Sequence, residues 1–220
     1  MADRRAETIL RILRTAFAMA TWTTATRDSF ATLIATIISQ NTNDKNTARA
    51  FENLSNKFRI TPETLAETEI KQIENCLKVA GLYHNKARAI QQVSRIILKK
   101  YNGNLAEILS KPLDEAREEL LQLPGVGPKT ADVLLLFSAK KPTIPVDTHV
   151  NRVSKRLGLV AKEADYETVR RTLQLIYDPK DYLAVHILLI SHGRKYCKAK
   201  TPLCKECPLA RLCPSRHLLS

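Results

Sequence analysis

The chain has 220 residues, enough for one large domain or two small ones with buried cores. Its 35 Lys and Arg residues outnumber 22 Asp and Glu residues, giving a formal net charge of +13. Such a charge favours a polyanionic partner, and nucleic acid is favoured over a membrane because no apolar run approaches the roughly 18–20 residues that span a bilayer. Six glycines and 5% aromatic residues argue against a β-sandwich or barrel.

The N-terminal part of the chain predicts helices and carries no targeting signal. Arginines interrupt the apolar residues of 1–22, so this stretch lacks the continuous apolar core of a secretion signal, and we expect a cytoplasmic protein. Two sets of apolar residues recur at helical spacing. The first set is Ile9, Ile12, Leu13, Ala16 and Phe17, and the second is Phe30, Leu33, Ile34, Ile37 and Ile38.

The remainder of the chain also predicts helices, separated by short breaks. Pro62, between Thr61 and Glu63, is typical of a first helical position. Further helices are predicted over 87–98, 114–123 and 182–190. Breaks are predicted at Gly81 and at the Gly- or Pro-containing stretches 102–103, 111–112, 124–128 and 142–145. Because no stretch alternates like a strand, the sequence predicts an all-α fold of about ten helices.

Residues 120–131 predict a tight turn between two helices. Pro124 ends the first helix, because the residue before a proline disfavours helical geometry, and Pro128 suits the first position of the second helix. Gly125 and Gly127 allow a positive φ and let backbone amides approach a ligand without interference from a Cβ atom. Exposed amides at a helix N-terminus suit a DNA phosphate, although an ordinary connection between helices is the alternative.

Two charged residues follow at predicted helix starts. Lys129 occupies the second position of the helix after the turn, where its amine could contact a phosphate or, unprotonated in a dry pocket, act as a nucleophile. Asp147 precedes an amphipathic helix and is predicted to be its N-cap. A carboxylate at this position could also stabilise a cationic sugar in a transition state or accept a proton. His149 could line the same pocket or be a histidine satisfied within its helix.

Four of the five cysteines lie in the last 24 residues with the spacing C-x6-C-x2-C-x5-C: Cys197, Cys204, Cys207 and Cys213. A secreted disulfide scaffold would be smaller and would spread its bridges through the chain, so the cluster indicates a metal site. Four thiolates alone fit either zinc or a [4Fe–4S] cluster. Cys76 stands apart in an apolar run and is predicted to be a core residue.

Taken in order, these motifs resemble the endonuclease III family of helix-hairpin-helix DNA glycosylases. LPGVGPKTA (123–131) resembles its hairpin, and PTIPVDTHVNRV (142–153) follows at the interval that the family uses. ISQNT (38–42) and GLYHNKA (81–87) resemble two further family segments, and the cysteine spacing also matches. The resemblance covers residues 30–213. The chain departs from the familiar bacterial pattern at Asn43–Asp44, where the acidic residue sits one place later.

The resemblance implies a mechanism and a set of site residues. Lys129 would displace the damaged base, form a Schiff base with the opened sugar and cut the strand 3′ to the abasic site by β-elimination, with Asp147 assisting. A Lys at position 129 belongs to the bifunctional branch of the family. Gln40 and Leu82 match the residues that the family inserts into DNA, with a helix C-cap and core packing as their respective alternatives. The four clustered cysteines would hold a [4Fe–4S] cluster, with zinc as the alternative.

The resemblance also implies two all-α domains. A six-helix domain over 25–135 would contain the helix-hairpin-helix, and 1–24 would join 136–220 in an iron–sulphur cluster domain, with DNA in the groove between them. We expect a monomer, associated with the nucleoid and not with a membrane, whose partner is double-stranded DNA containing damaged bases or abasic sites.

The implied activity is removal of oxidised pyrimidines in base-excision repair. One alternative is a mismatch glycosylase of the same fold that acts on T or U opposite G. Another is a non-catalytic helix-hairpin-helix DNA-binding module with structural zinc, against which the presence of Lys129 together with Asp147 argues.

Overall fold

The computed structural model describes residues 4–17 and 28–218, and within these residues the chain is all-α, as predicted, with no strand. Twelve α-helices are formed where the sequence predicts about ten, because several are only one or two turns long. They are α1 (Arg4–Ala16), α2 (Ser29–Ser39), α3 (Asp44–Lys57), α4 (Pro62–Glu67), α5 (Ile70–Leu77), α6 (Tyr83–Tyr101), α7 (Ala106–Ser110), α8 (Leu113–Leu121), α9 (Pro128–Val133), α10 (Thr148–Arg156), α11 (Tyr166–Ile176) and α12 (Tyr182–Lys195).

These helices belong to two compact units. One unit, here the terminal unit, combines α1 with the chain from Pro142 onward. The other, here the middle unit, runs from α2 to Lys141. The domain boundary predicted at residues 24–25 lies outside the described residues.

The core of the middle unit forms around α2. This helix is apolar around most of its circumference, as expected of a helix buried on several sides. Helix α6 lies against α2, α4 and α5 in the same core. Cys76 is buried there, which confirms the prediction of a core residue, and burial raises the pKa of its thiol.

The core of the terminal unit forms around α12, whose residues are buried almost continuously from Ala184 to Ile190. The apolar face of α1 packs in this core together with that of α10. The Arg5 guanidinium also donates hydrogen bonds to the carbonyls of Leu157, Gly158 and Leu212. Helix α1 is therefore fixed to the C-terminal segment by both apolar and polar contacts.

Local sequence signals determine where several helices begin. Thr61 caps α4 and Pro62 is its first residue, as predicted. Helix α9 changes at Leu134 into a π-helical turn that ends at Ser138. Its apolar sequence carries no signal that distinguishes a π turn from an α turn. No helix among the described residues has the length and apolar character to cross a membrane.

Candidate active site and metal centre

The predicted tight turn connects α8 to α9. Leu123 and Val126 are buried and anchor the turn, whereas Gly125 is exposed between them. Gly127 is the N-cap of α9 and Pro128 is its first residue, as the sequence predicts. No side chain of the described residues caps this helix. The turn therefore presents a helix N-terminus that is not closed by a side chain of its own.

The two glycines of the turn serve different purposes. Gly125 has a φ of 77°, and a Cβ atom added to it would lie 2.8 Å from the Cβ atom of Ala89 on α6. Any larger residue would therefore be strained and would collide with α6. Gly127 has a φ of −95°, so it does not use the positive φ that glycine allows, and this N-cap takes an extended backbone. A Cβ atom on Gly127 would meet nothing within 4 Å, so this side of the turn is open.

Gln40 is hydrogen-bonded to the hairpin. Its backbone N–H donates to the Ile37 carbonyl and caps the C-terminus of α2, which agrees with one of the two alternatives from the sequence. Its side-chain Nε2 donates to the Gly125 carbonyl at 2.8 Å and lies 3.4 Å from the Thr130 Oγ1 atom. The structure thus brings two predicted site residues, Gln40 and Gly125, into direct contact. Insertion of Gln40 into DNA stays a prediction.

Leu82 protrudes from the loop before α6. Its side chain is 57% exposed, so the alternative of core packing is wrong. Its backbone is left-handed, with φ 47° and ψ 29°, a conformation that costs a non-glycine residue about 1–2 kcal/mol. An exposed large apolar side chain on a strained backbone is typical of a contact residue.

Lys129 is the second residue of α9 and is half-buried. It lies in the middle unit, in the same hairpin that Gln40 contacts. Because Lys129 is only half-buried, the protein alone provides only part of the dry pocket that an attacking amine requires. The neighbouring Thr130 is buried, which fixes the backbone on the C-terminal side of Lys129.

A buried ion pair joins the helices on either side of the hairpin. The Arg117 Nε of α8 donates to the Asp132 Oδ1 of α9 at 3.0 Å, and Nη2 lies 3.4 Å from Oδ2. The Asp132 side chain is fully buried and that of Arg117 is 12% exposed. Charged helical residues usually face solvent, so the sequence offered no signal for this pair. It joins α8 to the C-terminal end of α9, three residues after Lys129.

Asp147 is the N-cap of α10, as predicted. Its Oδ1 accepts a hydrogen bond from the Val150 N–H at 2.7 Å, and the residue is half-buried. It belongs to the terminal unit, whereas Lys129 belongs to the middle unit. The cap fixes the orientation of the carboxylate, and its catalytic role stays a prediction.

His149 is held between α10 and α12. Its Nδ1 lies 3.0 Å from the Arg152 Nη2, and since a guanidinium only donates, this nitrogen must accept and the ring must be neutral. Burial lowers the pKa of His149, in agreement with a neutral ring. A Cβ atom on Gly193 would lie 2.9 Å from that of His149, so glycine permits the close approach of the two helices. These contacts support the alternative of a satisfied histidine.

The four clustered cysteines line a single pocket in the terminal unit. Burial, with smaller contributions from the other three thiols, raises the pKa of Cys207 to about 11. Burial also raises the pKa of Cys213. Thiolates are the form of cysteine that binds metals, and a metal group would neutralise their charge, so the donor set suits a metal group. Within the described residues, no three His, Cys, Asp or Glu side chains are arranged to hold one metal ion.

Helix α10 and helix α12 hold the rim of this cysteine pocket. The Arg156 guanidinium lies 3.5 Å from the Cys197 Sγ and donates to the Lys198 carbonyl at 2.7 Å. Arg152 donates to the Cys197 carbonyl at 2.9 Å. His192 is 1% exposed, and its Nε2 lies 3.6 Å from the Cys207 Sγ. The sequence analysis missed these supporting residues, because their partners lie far away along the chain.

Comparison with known proteins agrees with this geometry. Residues 34–179 match the family of HhH-GPD superfamily base excision DNA repair proteins. Endonuclease III of Thermotoga maritima is 40% identical over 187 residues, which cover 84% of this chain and 83% of that protein. A non-covalent endonuclease III–DNA complex has a TM-score of 0.88 at 34% identity, covering 99% and 98% of the two chains. A trapped endonuclease III–DNA covalent intermediate has a TM-score of 0.86 at 35% identity, covering 97% of each chain.

The helical fold and the hairpin thus define a base excision DNA repair protein of the HhH-GPD superfamily. Within that superfamily, the chain belongs to the endonuclease III family. The protein is accordingly a DNA glycosylase with AP lyase activity that binds damaged double-stranded DNA.

Proposed function

We propose that the protein removes oxidised pyrimidines from double-stranded DNA and cuts the strand 3′ to the abasic site, with Lys129 as the nucleophile. The observation that carries the proposal is the position of Lys129, half-buried and directly after a hairpin whose Gly127 side is open. A phosphate bound by the amides around Gly125 and Gly127 would hold the adjoining sugar near the amine. DNA in this position would also cover the exposed part of the lysine and complete its dry pocket.

The reaction begins when the Lys129 Nζ attacks C1′ of the damaged nucleotide. The C1′–Nζ bond forms, the glycosidic bond breaks, and the base leaves with the bonding electron pair and takes up a proton. The sugar ring then opens at the C1′–O4′ bond to give a protonated Schiff base. Loss of a C2′ proton expels the 3′ phosphate and breaks the C3′–O bond. Water finally hydrolyses the Schiff base and frees Lys129.

Asp147 assists the first of these steps. Its carboxylate stabilises positive charge on the sugar or accepts a proton from the attacking amine. The cap bond from the Val150 N–H uses Oδ1, so Oδ2 can face the DNA. A carboxylate fixed in this way needs little reorganisation when charge develops.

Leu82 and Gln40 open the duplex. Extruding a base costs a few kcal/mol, and an apolar side chain that fills the vacated space lowers this cost. The exposed Leu82 side chain suits this role. Gln40 would contact the DNA beside the hairpin, exchanging its bond to the Gly125 carbonyl for bonds to the bases. The net charge of +13 strengthens binding to the phosphate backbone.

The substrate assignment is tested by incision of duplexes that each carry one lesion: thymine glycol, dihydrouracil, uracil, a G·T mismatch, 8-oxoguanine or an abasic site. We expect cutting at thymine glycol, dihydrouracil and the abasic site, measured as strand breaks in single-turnover reactions. Preferred release of uracil or of T opposite G would instead assign a mismatch glycosylase. Tight binding to every duplex without any cutting would assign a non-catalytic DNA-binding module.

We also propose that Cys197, Cys204, Cys207 and Cys213 hold a [4Fe–4S] cluster. A single zinc needs its ligands gathered around one point, whereas a cluster distributes four thiolates over four irons. A pocket lined by all four thiols, together with the cysteine spacing that resembles that of the endonuclease III family, supports the cluster. When bound, the group would cross-link the C-terminal segment and neutralise its thiolates.

We expect this enzyme to act in the cytoplasm, on nucleoid DNA.

Protein purified without oxygen should be yellow-brown and contain about four irons per chain. Cys207→Ser should lose most of the iron and the colour, because one of the four ligands is removed. Cys76→Ala is the matched control, since this fifth cysteine lies in the core of the middle unit and should leave the iron content unchanged. Metal analysis and visible absorbance measure both outcomes. A colourless protein with one zinc would refute the cluster.

A further inference from the structure

The loop that carries Leu82 is held by a buried lysine. Lys86 lies in the first turn of α6 and is only 4% exposed. Its Nζ donates a hydrogen bond to the Ala80 carbonyl at 2.9 Å. No carboxylate of the described residues pairs with this amine. Its buried polar contact is thus made with the backbone of the loop.

The stability of the fold does not explain a lysine at this position. Burying an ammonium group without an opposite charge is costly, and the positive end of a helix disfavours it further. Burial indeed lowers the pKa of Lys86. A methionine would fill a similar volume without these costs. The amine is therefore expected to position the loop through its hydrogen bond and not to stabilise the core.

The loop has a positive φ at two consecutive residues, of which the non-glycine residue Leu82 is strained. Gly81 has φ 65° and ψ 162°, in a region that is essentially restricted to glycine, and Leu82 is left-handed. Such backbone persists only where its surroundings enforce it. Lys86 is hydrogen-bonded to the backbone before and after Gly81. Its Nζ donates to the Ala80 carbonyl, and its backbone N–H donates to the Leu82 carbonyl at 3.1 Å.

We propose that Lys86 is a positioning residue for DNA opening: its side chain fixes the strained Gly81–Leu82 segment so that Leu82 enters the base stack as a preformed wedge. This inference rests on the wedge role of Leu82 within the proposed function. Without the Nζ bond, the loop would relax to unstrained backbone and Leu82 would lose its fixed orientation. Opening a paired lesion would then become slower, whereas chemistry on an unpaired abasic site would not.

The test compares Lys86→Met with two reference variants. Leu82→Ala removes the wedge itself. Arg95→Met is the matched control, because Arg95 also lies on α6 and its Nε donates to the carbonyl of Ala66 in α4, far along the helix from the loop. Opening is followed by the fluorescence of 2-aminopurine placed opposite a tetrahydrofuran abasic analogue, which reports unstacking without catalysis. Single-turnover release of paired thymine glycol and cutting of a single-stranded abasic site are measured in parallel.

Lys86→Met and Leu82→Ala should lose the fluorescence rise and release thymine glycol about 10- to 100-fold more slowly. Both should cut the single-stranded abasic site at the wild-type rate, and Arg95→Met should match the wild type throughout. The melting temperature of Lys86→Met should be no lower than that of Arg95→Met.

Two results would overturn the role of Lys86. One is a wild-type fluorescence rise in Lys86→Met. The other is an equal loss of thymine glycol release and of cutting at the single-stranded abasic site, together with a lower melting temperature. A wild-type protein without any fluorescence rise would reject the wedge and this inference with it. Lys86→Met and Leu82→Ala could behave as expected while Lys129→Gln still cuts the lesion duplex. The assignment of Lys129 as nucleophile would then fail, and the role of Lys86 would stand.

Discussion

Lys129→Gln should abolish strand cleavage and borohydride trapping while the protein still folds and binds DNA. The amine forms the only covalent bond to the sugar in the proposed mechanism, so its loss should slow cleavage by more than about 10³-fold. Binding should change little, because one lysine supplies one of several phosphate contacts. Cleavage is measured at saturating protein, and binding by titration of a duplex that carries a stable abasic analogue.

Lys99→Gln is the matched control, since it removes the same charge from an exposed position on α6 of the middle unit. It should be trapped and should cut like the wild type. Asp147→Asn should slow release of the damaged base but affect a pre-formed abasic site less, because no glycosidic bond remains there. A Lys129→Gln protein that binds less tightly yet still cuts at saturation would reduce Lys129 to a phosphate contact.

Arg117→Met should destabilise the protein by roughly 3–5 kcal/mol, the usual cost of removing one member of a buried ion pair. The Asp132 carboxylate is fully buried and would lose the guanidinium that binds both of its oxygens. The free energy of unfolding, from denaturant titration of the whole chain, measures this loss. Because the pair clamps α8 to α9, hairpin-dependent DNA binding should weaken as well.

Lys111→Met is the reference for this comparison, because Lys111 pairs with Glu119 in the same unit but is far more exposed. Its loss should cost much less than that of Arg117. Replacing both members of the buried pair, as Arg117→Met with Asp132→Leu, should recover part of the stability, since no unpaired charge then remains. Equal stability of Arg117→Met and Lys111→Met would show that the buried pair does not clamp the hairpin.

Local signals in the sequence were sufficient to predict the all-α class and the starts of α9 and α10. Pro128 and Asp147 illustrate this, because proline at a first helical position and aspartate at an N-cap depend only on neighbouring backbone. Gly125 was also predicted correctly as a residue with positive φ. Gly127, by contrast, has a φ of −95° and does not use the positive φ that glycine allows.

Features that depend on distant contacts were not predictable in this way. Asp132 lies in a helical segment where a charge normally faces water, and only the tertiary structure brings it a buried partner on another helix. The bond from Gln40 to the Gly125 carbonyl likewise joins residues that are 85 positions apart. The exposure of Leu82 depends on a strained loop that no propensity encodes.

The most direct test of the account locates the covalent bond. The wild-type protein is incubated with a thymine glycol duplex, reduced with borohydride, digested and analysed by mass spectrometry for the lysine that carries the sugar remnant. If Lys129 is the nucleophile, the remnant is found on Lys129 and the adduct forms with the same time course as strand cleavage. A remnant on another lysine or on the N-terminal amine, or cleavage without any trapped adduct, would contradict the assignment of Lys129 as the nucleophile.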